Sequence, residues 1–352
     1  MNPVLRQIIK GMANRLGIEV RRRQVPAAAP AATELDDKFD VFADSAGNRH
    51  DLIRGHRART WPHNWSEMLQ KRAVPSPEAV RQNGFLSGGV SQVESLQECL
   101  RPWGIGLNRQ RILEVGCFVG GASAALLLAG AESVVGLDVA AHQTLKSRPS
   151  DEEIAAQADY LQAMRRLVSA EAAERSPTFD AARLEYWDID IKDVRVRGDF
   201  DLIASWYTLE HILEPQPSFA RMFDALRPGG YCAQIYHPFF CLSGAHFDCL
   251  DFPWGHVVLS DDDFRAYVRR FRPDEVQIAE WRYCETINRM TFALMKDAAR
   301  MAGFELVDFA PLESRGHDSL PDNILAMGRR IHPTLTSMDL LVEGAFVLLR
   351  KP

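Results

Sequence analysis

The stretch RILEVGCFVGGASAALLLAGAESVVGLDVA, residues 111–140, constrains this chain more than any other. ILEV is a short apolar run that stops on a glycine, ASAALLLAG is small and helix-forming, and SVVGLDV is a second apolar run closing on an acid. Strand, glycine turn, helix and strand in that order make the unit of a parallel sheet, which must be covered by helices on both faces. The alternation continues downstream through LEYWDI, DLIASWY, SFARMFDALRPGG and YCAQIYH, so the chain is expected to be α/β. Gly116, Gly120 and Gly121 fall at the turn. Missing side chains there let main-chain amides and the positive helix end approach a ligand at the carboxyl edge of the sheet.

Asp138 ends the second strand, where a carboxylate can accept hydrogen bonds from both hydroxyls of a ribose. That role serves nicotinamide enzymes and methyltransferases alike. The dinucleotide fingerprint G-x-G-x-x-G, however, needs a middle glycine where a pyrophosphate comes close, and Phe118 stands there. A ligand without phosphates is favoured.

LEVGCFVGG, VVGLD, WDID at 187–190, DLIASWYTLEHI and DALRPGG, taken together and in order, resemble the class I S-adenosylmethionine-dependent methyltransferases over about residues 90–240 and the final strand pair. The resemblance implies a three-layer α/β sandwich with a mostly parallel seven-stranded sheet. Its last strand, EGAFVLLRKP, would return antiparallel beside FELVDFAP, a strand that a nicotinamide Rossmann domain lacks. It also implies S-adenosylmethionine as cofactor, with Glu114, Gly116, Cys117 and Gly120 around the methionine part and Asp138 with Val139 at the ribose. Asp188 and the Ile189 backbone would meet the adenine amine, and Ser205 completes the implied set.

Methyl transfer from a sulfonium is an in-line displacement, often with removal of a proton from the acceptor, so a base is expected near the ends of the fourth and fifth strands. Three histidines compete. His246 ranks first because S-G-A-H puts it on a glycine loop, His237 follows, and His211 in YTLEHILEP is third, with packing beneath the cofactor loop as its alternative role. Around the first two, Tyr236, Phe239, Phe240, Phe247, Phe252 and Trp254 either flank an apolar or sugar-like acceptor or form the core of an inserted lid. His246, Asp248, Asp251 and His256 match no established metal-site spacing, so no metal is expected.

A formal net charge of −6 removes the usual electrostatic reason to expect nucleic acid, and favours a small-molecule acceptor. Six scattered cysteines without a CxxC pair fit a reducing cytoplasm. Residues 1–23 have the spacing of a basic amphipathic helix, which would hold weakly to the inner face of an anionic membrane or dock on its own domain or a twin subunit. The expected organisation is that helix with a Pro/Ala-rich linker over 1–35, a lead-in over 36–105, and a methyltransferase domain over 106–352 with inserts at about 141–180 and 238–290. The apolar helix Ile154 through Leu167 in the first insert reads as a lid, packing helix or dimer face. The function implied is O-methylation of a sugar, a polysaccharide precursor or another small hydroxylated metabolite. A nicotinamide oxidoreductase and a cofactor-binding module without catalysis are the alternatives.

Overall fold

A computed structural model describes residues 38–56, 76–140, 149–244, 250–314, 320 and 323–352. The amphipathic segment 1–23 and His246 lie outside the described residues. Two strands, β1 (Lys38–Ala43) and β2 (Arg49–Ile53), form an antiparallel hairpin, and seven more form one sheet. These are β3 (Arg111–Val115), β4 (Ser133–Asp138), β5 (Leu184–Asp188), β6 (Phe200–Trp206), β7 (Leu226–Tyr236), β8 (Glu305–Ser314) and β9 (Val342–Arg350).

Their order across the sheet is β5-β4-β3-β6-β7-β9-β8. The first five are parallel, and β9 runs antiparallel between β7 and β8. The chain direction reverses outward on either side of β3 and β6, and the crevice at that switch point is where an open α/β sheet binds its ligand. β3 is buried along ILEV because both its neighbours and both sheet faces are covered. The returning strand expected at the C-terminus is present.

Helices α1 (Pro77–Asn83), α2 (Phe85–Leu100), α3 (Gly121–Leu128) and α4 (Asp151–Arg175) cover one face, and α5 (Pro215–Ala225) with α6 (Phe292–Ala302) covers the other. Most of the described part of the first insert is α4, started by a capping box between Ser150 and Glu153. The lead-in carries the β1/β2 hairpin, α1 and α2, and α2 lies so close to α3 that a Cβ at Gly89 would overlap the main chain of Gly121, and one at Gly121 would overlap the carbonyl of Phe85. A glycine within a helix lowers its intrinsic stability, and at Gly89 close backbone contact is the return.

The aromatic segment after β7 departs from one expectation. Phe239, Phe240 and Trp254 are 0% exposed and pack with Phe264, Tyr267 and Tyr283, together with Phe42 and Leu52 of the hairpin, into a separate apolar core. Phe264 and Tyr283 stack at 3.7 Å. These rings are a packed cap and offer no face to an acceptor, because burying each one removes more apolar area from water than exposing it at a site would allow. Among the described residues no helix is long and apolar enough to cross a membrane.

Candidate functional site

A cavity of about 530 Å³ opens at the carboxyl ends of β3, β4 and β6, within the size range of small-molecule sites. Its floor is the glycine turn from Glu114 to Val119, with Leu137, Asp138 and Val139 on one side and Trp206, Tyr207 and Thr208 on the other. The turn closes because the amides of Gly116 and Cys117 both donate to the Leu137 carbonyl, at 2.8 and 3.0 Å, and Gly120 N donates to the Cys117 carbonyl at 2.7 Å. Gly116 and Gly120 have φ of 83° and 80°. A Cβ at the first would overlap the Thr208 side chain, and one at the second the Tyr186 hydroxyl.

Phe118, where the dinucleotide motif has glycine, also lies in the left-handed region with φ of 46°. Such a conformation costs a non-glycine residue on the order of 1–2 kcal/mol. It is held from both ends: Phe118 N donates to Asp138 Oδ2 at 2.6 Å, and the Phe118 carbonyl accepts from Arg165 Nε at 2.9 Å. Asp138 Oδ1 accepts from Val139 N at 2.7 Å. Two main-chain amides thus orient this carboxylate at the cavity wall.

Glu114 is 3% exposed and lines the same cavity. Burial pushes its carboxyl up to about 7, aided by the Asp138 charge and opposed by the Ser123 hydroxyl bonded to it and by Arg165. A carboxyl poised there would be drawn into its charged form by a cationic group.

Not every residue implied at the sequence level reaches the cavity. Asp188 is exposed and turns its carboxylate onto the Ala140 amide at 2.9 Å, lining a second cavity between α4 and β5. Ile189 N donates to the Asp138 carbonyl at 3.1 Å. Asp190 and Ile191 are the WDID-region residues that line the main cavity. Ser205 is buried inside the sheet opposite Val115 and Gln234, and Gly120 shapes the turn from behind; neither is among the lining residues.

The histidines separate clearly. His211 lines the cavity, at the end of the turn Leu209–His211 that follows β6. Its Nδ1 is 3.0 Å from the Thr286 carbonyl. A carbonyl only accepts, so Nδ1 carries the proton and the lone pair of the neutral ring is on Nε2. Asn288 fixes this turn by donating its side-chain amide to the carbonyls of Leu209 and Ile212. Glu210 is fully buried beside it, and burial pushes its carboxyl up while His211 and His237 pull the other way. His237 is set back from the cavity, its Nε2 3.5 Å from Cys241 Sγ and Ser243 Oγ. His256 is locked in the cap on the Cys241 carbonyl at 2.9 Å, and burial pushes it down to about 4.

Asn83, Phe85 and Gln92 of the α1/α2 lead-in and the buried Arg282 are among the lining residues that no sequence motif singled out. The Gly-Gly pair within FLSGGVS was the available signal for the first three.

A family model described as a methyltransferase domain matches residues 53–308. The chain belongs to that family. The methyltransferase found no match among curated proteins. Among solved structures it is similar to an S-adenosylmethionine-dependent methyltransferase from Mesorhizobium loti, with 17% identity, 72% of this chain and 97% of that one covered, and a TM-score of 0.40. It is also similar to phosphoethanolamine N-methyltransferase 2 from Haemonchus contortus, in complex with phosphomonomethylethanolamine and S-adenosylhomocysteine. That likeness has 18% identity, 74% and 52% coverage, and a TM-score of 0.41. As a class I methyltransferase it uses S-adenosylmethionine, and the site fits such a group. The turn is closed around two left-handed glycines, a buried carboxyl is ready to meet an ammonium, and an oriented carboxylate suits a ribose.

Proposed function

We propose that this methyltransferase acts on a hydroxyl of a small polar metabolite, a sugar or polysaccharide precursor being the preferred class, with His211 as the base. The observation that carries the reading is the His211 imidazole in the cavity with Nδ1 committed to the Thr286 carbonyl, the tautomer a proton acceptor at Nε2 requires. His237 is set back from the cavity, and His211 is therefore the base we prefer. The polar groups of Asn83, Gln92, Tyr207 and Arg282 share the cavity and suit an acceptor that needs orienting.

S-adenosylmethionine supplies a methyl group on a positively charged sulfur. Glu114 would hold the ammonium of its methionine part, Asp138 and Val139 the ribose, and Asp190 with Ile191 the adenine. His211 would take the acceptor's proton, and the α1/α2 lead-in would keep water out. The proposed location is the cytoplasm, with residues 1–23 giving weak contact to a membrane surface.

Incubation with methyl-labelled cofactor and the metabolite fraction of a host extract, followed by mass spectrometry of labelled products, tests this. A methyl ether on a small hydroxylated molecule supports it, whereas label in protein or nucleic acid defeats it. Absence of any labelled product, with cofactor binding intact, favours a module that has lost catalysis.

A further inference from the structure

We infer that Arg165, in the middle of the inserted helix α4, is a positioning residue for the cofactor: it clamps the glycine turn from behind and sets the geometry of the Phe118 backbone. The inference rests on the cofactor occupying the main cavity as proposed above. Arg165 is 7% exposed, a rare state for an arginine unless its donors are used. Nε donates to the Phe118 carbonyl at 2.9 Å, Nη2 lies 3.4 Å from Cys117 Sγ, and the guanidinium carbon sits 4.8 Å from the Tyr186 ring centre. Tyr186 is in turn the ring that a Cβ at Gly120 would strike. One cation thus touches the turn at Cys117 and Phe118 and backs it at Gly120.

The backbone of Phe118 is the point at which this matters. Its amide orients Asp138, and its carbonyl is held by Arg165, so the left-handed Phe118 is fixed by two bonds on opposite sides. Releasing the carbonyl lets the φ and ψ of Phe118 relax toward a commoner conformation, and the relaxation withdraws the amide from Asp138. The carboxylate would then lose the orientation with which it meets a ribose. Helix α4 is therefore part of the cofactor site, without lining the main cavity itself.

The test is calorimetric titration of S-adenosylhomocysteine into full-length wild type, Arg165→Met, Arg165→Lys and the neighbouring Arg166→Met, alongside thermal melts without ligand. Hydrogen exchange of the peptide covering residues 115–121 is followed in the same apo proteins. Arg165→Met should weaken binding about 10- to 100-fold, the loss of one charge-assisted bond and its neighbours, and speed exchange in the turn. Arg165→Lys, which keeps the charge and one donor, should fall between, and Arg166→Met should match wild type. A purely packing role would lower the melting temperature of Arg165→Met while leaving its affinity, measured below the transition, at the wild-type value; that result overturns the inference. If the Met variant fails to fold, Arg165→Lys decides, wild-type affinity overturning the inference and weakened affinity supporting it. Wild type that does not bind S-adenosylhomocysteine, or an Asp138→Ala variant that binds it as well as wild type, would instead sink the cofactor placement.

Discussion

The main-chain amide of Phe118 donates to Asp138 Oδ2 at 2.6 Å across the carboxyl ends of adjacent strands β3 and β4. The bond ties the residue that replaces a fingerprint glycine to the acid proposed to meet the ribose. Asp138→Ala removes both this acceptor and the proposed ligand contacts. Hydrogen bonds to a charged group contribute about 1.5–3 kcal/mol, so affinity for S-adenosylhomocysteine should drop at least about tenfold in calorimetry, with the sheet intact by circular dichroism.

Gly89 of α2 and Gly121 at the start of α3 are in backbone contact. Gly89→Ala gains helix propensity worth about 1 kcal/mol, yet the methyl would meet main chain, which cannot yield as a side-chain tip can. Overpacking of this kind costs about 1–3 kcal/mol or more. The expected outcome in denaturant titration is net destabilisation, accompanied by weaker cofactor binding, because Gly121 lines the cavity. A more stable Ala variant would show that the two helices are not pressed together.

Glu114 makes apo stability depend on pH. Burial raises its carboxyl from 4.5 to about 7 in the folded state, so the folded protein binds this proton more tightly than the unfolded chain. The contribution is fully present below about pH 4.5 and is lost as pH rises to about 7, on the order of 3 kcal/mol in all. Glu114→Gln should therefore gain on wild type by that amount between pH 4.5 and 8 in urea unfolding. A constant difference across that range would place the carboxyl elsewhere. In the wild type, a cationic ligand group beside Glu114 should also expel its proton near pH 7, visible as a buffer-dependent binding enthalpy.

His211→Ala should lower kcat by about 10²- to 10⁴-fold, the usual share of a general base, and leave S-adenosylhomocysteine affinity unchanged. The acid limb of the kcat/KM profile should vanish with it. Unaltered turnover would return His211 to a packing role.

Phe239→Ala tests the cap. A fully buried ring exchanged for a methyl destabilises by about 3–5 kcal/mol, and the melting temperature should fall accordingly. Acceptor KM should stay at its wild-type value at temperatures where the variant is folded, since this ring faces Phe240, His256 and Tyr283.

What the sequence determined by itself was whatever local pattern dictates. Strand, glycine turn and helix at 111–128, the acid at Asp138 and the terminal strand were legible because hydrophobic period and turn chemistry act over a few neighbouring residues. Tertiary structure decided what depends on side-chain direction and on partners far along the chain. Asp190 reaches the main cavity and Asp188 does not, because Asp188 is drawn onto the Ala140 amide, 48 residues away. His211 lines it while His256 is sealed in the cap, and Arg165 reaches back 47 residues to Phe118. Such contacts arise when packed layers bring distant groups within hydrogen-bond range, and that geometry has no period along the chain.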